Sequence, residues 1–247
     1  MAREKHRGSS WYTKRPNERM TPNELALRDF QDPSILYRAQ EMAPLIKMTA
    51  LVTGASRGIG RATALATANA GTYVLAHYGT SRRNADLLVD KIRSSGGKAD
   101  AIDSDPAIPE GASELAAKVH ALAGDRLDIL VANAGVSKAA RIEDHTIADF
   151  DRLFATNVRA PFFLSQQLLP LMGEGSSVIV ITSLAARVSP GSPGQAGASS
   201  IPAYAPTNGA LEVLVKHWAS LLGPSGIRVN AVAPGVIETD MSNFTNK

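Results

Sequence analysis

The glycine-rich segment 53–60 (TGASRGIG) is the part of the sequence whose spacing suggests a specific binding chemistry. It follows a short apolar run and precedes an alanine-rich stretch with helical periodicity. Gly54 permits a tight turn, Gly58 lets the backbone approach a diphosphate, and Gly60 lets the next helix pack closely on a sheet. The N–H groups at the start of that helix favour an anion. We therefore predict that this turn binds the phosphates of a dinucleotide.

The elements that would position this turn are short β-branched apolar runs that alternate with longer helical stretches from Lys47 onward. Such alternation is typical of parallel βαβ units. The predicted fold class is therefore α/β, a doubly wound parallel sheet with a Rossmann fold and right-handed crossovers. The predicted strands are 48–53, 72–78, 98–103, 127–133, 177–182 and 227–233, and the predicted helices are 58–69, 81–95, 109–123, 147–172 and 203–222.

Composition excludes several classes of protein and site. A chain of 247 residues with 44% hydrophobic and 20% charged residues can bury one large core. It has no cysteine, which excludes disulfides and zinc–thiolate sites, and its five histidines lack ligand spacing, so we predict no metal site. No apolar run approaches the roughly 20 residues of a membrane-spanning helix, and the N-terminus is polar. We therefore expect a cytoplasmic protein without membrane contact.

The charge distribution divides the chain near residue 45. Residues 1–47 hold nine Lys or Arg and six Asp or Glu, whereas residues 48–247 hold seventeen of each kind. We interpret residues 1–44 as a polar, flexible N-terminal extension and residues 45–247 as the folded domain. Because the domain is neutral and lacks a basic stripe interleaved with aromatic residues, we predict no nucleic-acid binding.

Further motifs follow the glycine turn, and their order along the predicted elements indicates a family. The chain from about residue 45 resembles the classical short-chain dehydrogenases/reductases, which also share the spacing G-x3-G-x-G. The resemblance implies reversible hydride transfer between a nicotinamide and a small-molecule ketone or secondary alcohol. The motifs are Asn133-Ala134-Gly135 after the fourth strand, Asn157 in the long helix, Ser183 after the fifth strand, Tyr204 at the start of the last helix, and Pro234-Gly235-Val236-Ile237-Glu238-Thr239 after the sixth strand.

The resemblance assigns catalytic roles to four positions, one of which departs from the family pattern. It implies that Tyr204 is the general acid or base, that Ser183 holds the substrate carbonyl, and that Asn157 supports a proton-relay water. The family lysine four residues after the tyrosine is replaced by Asn208, which supplies no charge to lower the tyrosine pKa from about 10. We therefore expect severely reduced turnover with cofactor binding partly retained, unless Lys138 supplies the ammonium instead.

Local charge predicts NADP(H) in preference to NAD(H). Enzymes that prefer NAD usually carry an acidic residue at the end of the second strand, whereas segment 77–83 (HYGTSRR) has none. Arg57 and either Arg82 or Arg83 could pair with a 2′-phosphate. The predicted cofactor-binding residues are Gly54, Ser56, Arg57, Gly58, Ile59, Gly60, Tyr78, Ser81, Asp105, Asn133, Ala134, Gly135, Tyr204, Pro234, Gly235, Ile237 and Thr239.

Other departures from the family pattern favour an alternative function. Asp105 matches the family aspartate that contacts adenine, but Pro106 has no N–H with which to add a second contact. The chain ends seven residues after Asp240, so we expect it to lack the usual C-terminal helix and seventh strand. Segment 187–202, rich in Pro, Gly and Ser, should form a loop. The alternative is a catalytically impaired nucleotide-binding protein or truncated product. Because family members are often dimers or tetramers, a homo-oligomer is also considered.

Overall fold

The computed structural model describes residues 45–188, 201–237 and 239. The predicted N-terminal extension, residues 1–44, lies outside the described residues, as does most of the loop predicted at 187–202.

Six strands form one parallel sheet, as the sequence predicted. Their order across the sheet is β3-β2-β1-β4-β5-β6, and each neighbouring pair is parallel. The chain moves outward from β1 to β3 and then returns to place β4 on the other side of β1, so a crevice opens beyond the carboxyl ends of β1 and β4. The strands are β1 (Thr49–Val52), β2 (Tyr73–Tyr78), β3 (Lys98–Asp103), β4 (Ile129–Ala132), β5 (Ser177–Ile181) and β6 (Arg228–Val232).

Helices cover both faces of the sheet because strand residues alternate in direction. Leu51 and Leu130 belong to a core cluster with residues of the third, fifth and sixth helices, whereas Val52 and Val131 belong to a second cluster with residues of the first and second helices. The helices are α1 (Gly58–Asn69), α2 (Arg82–Ser94), α3 (Gly111–Ala123), α4 (Ile147–Phe154), α5 (Ala160–Leu168) and α6 (Tyr204–Leu222).

The helix predicted at 147–172 is divided in the structure, which corrects the sequence prediction. A π-helical segment, Ala155–Arg159, separates α4 from α5, and a 3-10 turn, Leu169–Leu171, follows α5. Proline stands near the start of both α5 and the 3-10 turn. Since proline has no N–H to donate, regular α-helical hydrogen bonding changes at both places.

Several strands are shorter than predicted because residues at their ends bond outside the ladder. Leu127 N–H donates to Leu171 O at 2.9 Å, and Asn133 N–H donates to the Thr53 hydroxyl at 2.9 Å. The predicted strand 127–133 is therefore limited to β4. In the described part of the chain, no helix has both the length and the apolar character needed to cross a membrane.

Candidate active site

The glycine turn between β1 and α1 has the backbone conformation that its sequence predicts. Gly54 and Gly58 have φ angles of +65° and +53°, in the left-handed region that favours glycine. A methyl group on Gly60 would collide with the Asn133 amide nitrogen and the Gly54 carbonyl oxygen. The first turn of α1 contains no acidic residue, and Arg57, the residue before it, makes no side-chain capping bond. These backbone N–H groups therefore fit the phosphates of a dinucleotide.

A set of hydrogen bonds ties the end of β4 to this turn. The Thr53 hydroxyl accepts from the backbone N–H groups of Asn133 and Ala134, both at 2.9 Å. The Asn133 side-chain amide donates to Thr53 O at 2.8 Å and to Gly54 O at 3.3 Å. Asn133 and Ala134, which the sequence predicted as cofactor-binding residues, are thus hydrogen-bonded to the start of the turn and hold it in place. Thr53 was not among the predicted site residues, although a hydroxyl residue directly before the first glycine was visible in the sequence.

Asn157 connects the loop after β4 to α6 from within the π-helical segment. Its Oδ1 accepts from Val136 N–H at 2.9 Å, while its Nδ2 donates to Val136 O at 2.9 Å and to the Thr207 hydroxyl at 3.1 Å. The Thr207 hydroxyl in turn donates to Tyr204 O at 2.7 Å. Gly135 also lies beside Asn157, because an added methyl group would come 3.4 Å from Asn157 Oδ1. Sequence reasoning missed Thr207, whose bonds join Asn157 to the first turn of α6.

Ser183 and Tyr204 lie at the ends of neighbouring elements. Ser183 is the second residue after the end of β5, and its Oγ accepts from Ala185 N–H at 3.2 Å. This bond uses an oxygen lone pair, so the hydroxyl can still donate to a substrate. The 3-10 turn Leu184–Ala186 packs against α6, whose first residue is the partly exposed Tyr204.

Asn208 is buried one turn after Tyr204, at 4% exposure. Its amide nitrogen donates to Tyr204 O at 3.0 Å, so one of its two N–H groups is used within α6. Lys138 does not substitute for the missing ammonium in this arrangement, because its Nζ pairs with Asp149 Oδ2 at 2.6 Å. That ammonium and the Thr146 hydroxyl lower the pKa of Asp149 to about 2, and the same carboxylate completes the capping box of α4.

The end of β2 presents cations and no carboxylate within residues 77–83. Arg57 is exposed, and Arg82 Nε lies 3.6 Å from Asp86 Oδ2, one turn further along α2, with both side chains largely in solvent. Tyr78 is buried, and its carbonyl accepts from Ser104 N–H at 3.2 Å. Ser81 directly precedes α2. Exposed guanidinium groups of this kind can pair with a phosphate.

The loop after β3 holds Asp105 in a defined turn. Asp105 Oδ1 accepts from Ala107 N–H at 2.8 Å, and the guanidinium of Arg159 donates to Ala107 O. Gly111 approaches Asp105 O so closely that no side chain would fit between them. Pro106 lines a narrow internal space under this loop. The loop is therefore held in place from α3 and from the π-helical segment.

The segment after β6 reaches the glycine turn and the loop after β5. Leu184 N–H donates to Pro234 O at 2.9 Å. A methyl group on Gly58 would come 3.4 Å from Thr239 Cγ2, so Thr239 lies against the turn. Gly235 and Ile237 are exposed between these two contacts. Within the described residues, no three His, Asp or Glu side chains are arranged so that they could hold a metal ion.

The chain is similar in sequence and in structure to known proteins. A family model described as short chain dehydrogenase matches residues 48–247. Versicolorin reductase 1 of Aspergillus parasiticus is 39% identical over 192 residues, which cover 78% of this chain and 70% of that protein. A short chain dehydrogenase from Burkholderia cenocepacia in complex with NADP is 35% identical with a TM-score of 0.75, covering 82% of this chain and 80% of that chain. Landomycin C-6 ketoreductase LanV, solved with bound NADP and rabelomycin, is 36% identical with a TM-score of 0.71, and the match covers 78% of this chain and 77% of that chain.

Proposed function

Because the chain belongs to the short-chain dehydrogenase family, we propose that it is an NADP(H)-dependent oxidoreductase that interconverts a small-molecule ketone and a secondary alcohol. The observation that carries the proposal is the glycine turn, in which Gly54 and Gly58 are left-handed and no side chain fits at Gly60. Relatives of similar length are named as reductases, and two similar solved structures are titled as holding NADP.

The proposed reaction uses two hydroxyl groups of this chain. The nicotinamide, when bound, supplies the hydride in the reductive direction. The Tyr204 hydroxyl donates its proton to the carbonyl oxygen as negative charge develops there, and the Ser183 hydroxyl donates a hydrogen bond to the same oxygen. Asn157 acts indirectly in this proposal. Its bonds to Val136 and Thr207 hold in place the start of α6, which carries Tyr204.

NADP(H) is proposed over NAD(H) on the charge around the ribose end of the site. Arg57 and Arg82 are exposed on the two helix starts that follow β1 and β2, and residues 77–83 contain no carboxylate. A phosphate with two negative charges gains more from exposed guanidinium groups than a ribose hydroxyl does.

The proposal is tested by calorimetric titration of the chain with NADPH and NADH, followed by turnover of activated ketones. We expect a lower Kd for NADPH, and we expect Tyr204→Phe to lose at least about a hundredfold in kcat while its NADPH Kd changes less than about threefold. Tyr73→Phe is the matched control, since it removes the hydroxyl of a tyrosine at the opposite end of β2, where that hydroxyl donates to Asp100 Oδ2. Tighter binding of NADH would refute the cofactor assignment, and equal kcat in the Tyr204→Phe variant would refute the proton donor.

The alternative function, a catalytically impaired nucleotide-binding protein, predicts the same binding of NADPH but no turnover of ketones. The relatives named above are reductases, and the comparisons do not support this alternative.

Self-association belongs to the proposal as well, because Phe162 and Phe163 of α5 are 37% and 44% exposed beside Trp218 of α6. Exposed aromatic groups of this kind mark contact surfaces between proteins.

A further inference from the structure

His77, a β2 residue without an assigned role in the proposed reaction, is buried between the glycine turn and the loop after β3. Its Nδ1 accepts a hydrogen bond from Gly54 N–H at 3.2 Å. Its Nε2 lies 3.3 Å from Ser104 O and 3.1 Å from Ser104 Oγ. Because a backbone N–H can only donate, Nδ1 carries no proton, and the neutral ring donates from Nε2 to Ser104. Burial supports this neutral state by lowering the pKa of His77 to about 4.

The backbone of His77 holds the same turn. Its carbonyl accepts from Ala55 N–H at 2.8 Å, so the amides of Gly54 and Ala55 are both bound by one residue. Gly54 is the position at which the chain reverses with φ of +65°. These two bonds direct the chain into the segment that carries Gly58 and Gly60, where the diphosphate would bind.

The other end of the ring holds the loop that carries Asp105. Ser104 N–H donates to Tyr78 O at 3.2 Å, and Ser104 receives the Nε2–H of His77. One buried side chain therefore connects the turn proposed for the diphosphate to the loop proposed for adenine. The ring also borders the narrow internal space beside Pro106, so its position is not determined by close packing on every side.

We propose that His77 is a positioning residue for cofactor binding, which acts through Gly54 by holding the glycine turn in the conformation that receives the diphosphate. The inference rests on the proposed function, but it does not require contact between His77 and the cofactor. Loss of the ring acceptor would leave the Gly54 N–H unpaired in a partly buried place, and the turn would relax toward other conformations.

Two amide substitutions separate the two ends of the ring. The amide oxygen of His77→Asn falls near the position of Nδ1 and can accept from Gly54, whereas the longer side chain of His77→Gln reaches toward Ser104 and leaves Gly54 unpaired. His77→Leu removes both bonds. We expect the NADPH Kd to rise about tenfold in the Gln and Leu variants and to stay within about threefold of the native value in the Asn variant.

The stability control is Leu127→Ala, a cavity-forming change in a fully buried residue that precedes β4 at the opposite end of the sheet. It should lower the Tm as much as His77→Leu does without changing the NADPH Kd. If the Asn, Gln and Leu variants bind NADPH equally, or if Leu127→Ala raises the NADPH Kd as much as His77→Leu does at a similar loss of Tm, the inference is wrong.

Amide hydrogen exchange at Gly54 tests the inference without a cofactor. We expect Gly54 N–H to be protected in the native chain and in His77→Asn, and to exchange at least about tenfold faster in His77→Gln and His77→Leu. Equal exchange in all four proteins would overturn the role of His77. A native chain that failed to bind NADPH would instead refute the proposed function, and exchange at Gly54 would still decide whether His77 holds the turn.

Discussion

Asn208 stands where a charge would assist the proposed proton transfer. Its amide donates to Tyr204 O at 3.0 Å, and the residue is buried at 4% exposure. An amide contributes a dipole where an ammonium would contribute a full charge, and the full charge would stabilise the transition state of proton transfer more strongly. We therefore expect proton transfer, more than cofactor binding, to limit the native chain.

Substitution of Asn208→Lys should raise kcat/KM for ketone reduction by NADPH at least about tenfold, equivalent to about 1.4 kcal/mol of transition-state stabilisation. Asn208→Met is the matched control, because it lengthens the side chain without adding charge. Robust and equal rates in the native chain and both variants would contradict the prediction, and thermal unfolding establishes that each variant is folded.

Gly60→Ala tests the close approach between α1 and the loop after β4. The added methyl group would displace the Asn133 amide and the Gly54 carbonyl, so the turn has to shift. We expect the NADPH Kd to rise more than about tenfold, measured by calorimetry, together with a lower Tm. Gly173→Ala is the control, since a methyl group there meets no atom within 4 Å. Unchanged binding in Gly60→Ala would show that the turn tolerates the shift.

Among the elements, the π-helical segment between α4 and α5 positions a functional side chain through an irregularity. Asn157 lies in this segment and is 5% exposed. The wider turn adds a residue to one helical repeat, which rotates the side chains that follow relative to those before. The segment packs against α6, and the Asn157–Thr207 bond joins the two elements at the turn that begins with Tyr204.

Removal of the Thr207 hydroxyl tests this junction. Thr207→Val keeps the shape of a fully buried side chain but loses the bonds to Asn157 Nδ2 and Tyr204 O. We expect the free energy of unfolding in urea to fall by about 1 to 2 kcal/mol, and kcat to fall several-fold while the NADPH Kd stays within about twofold. Thr207→Ser, which retains the hydroxyl, should keep kcat near the native value. An equal loss of kcat in both variants would assign the effect to packing.

At the scale of the whole molecule, His77 makes the stability of the fold depend on pH. The ring ionises with a pKa of about 6.5 when the chain is unfolded and about 4 in the fold, because burial disfavours the charged form. The hydrogen bond to Ser104 O and, more weakly, the Asp103 carboxylate oppose this shift by raising the pKa, and Lys118 adds to it. As the pH falls, His77 is therefore protonated in the unfolded chain before it is protonated in the fold. The free energy of unfolding decreases as the pH falls from about 6.5 to about 4.

This titration should remove about 3 kcal/mol of unfolding free energy between pH 7 and pH 4, measured by urea denaturation at several pH values. His77→Asn should show a smaller loss over the same range because it has no ring to protonate. Asp149 contributes at lower pH, since its lowered pKa of about 2 places the loss of its stabilising pair below pH 4. A native chain and a His77→Asn variant with the same loss between pH 7 and pH 4 would contradict the assignment to His77.

Local pattern in the sequence determined the succession of six strands along the chain, the α/β class and the glycine turn. Strand and helix periodicity is a property of neighbouring residues, and a backbone with positive φ at Gly54 and Gly58 requires glycine whatever surrounds it. The sequence also placed Ser183 and Tyr204 near the ends of predicted elements, and it showed Asn208 one helical turn after Tyr204.

Only the tertiary structure decided which distant residues meet. His77 bonds to Gly54 across 23 positions, and Asn157 bonds to Thr207 across 50, so neither contact leaves a periodic trace in the sequence. The π-helical break at Ala155–Arg159 also escaped prediction, because its residues fit an ordinary helical pattern. Such features depend on how the strands and helices pack against one another, since a buried polar group takes whichever partner the fold brings within hydrogen-bonding distance.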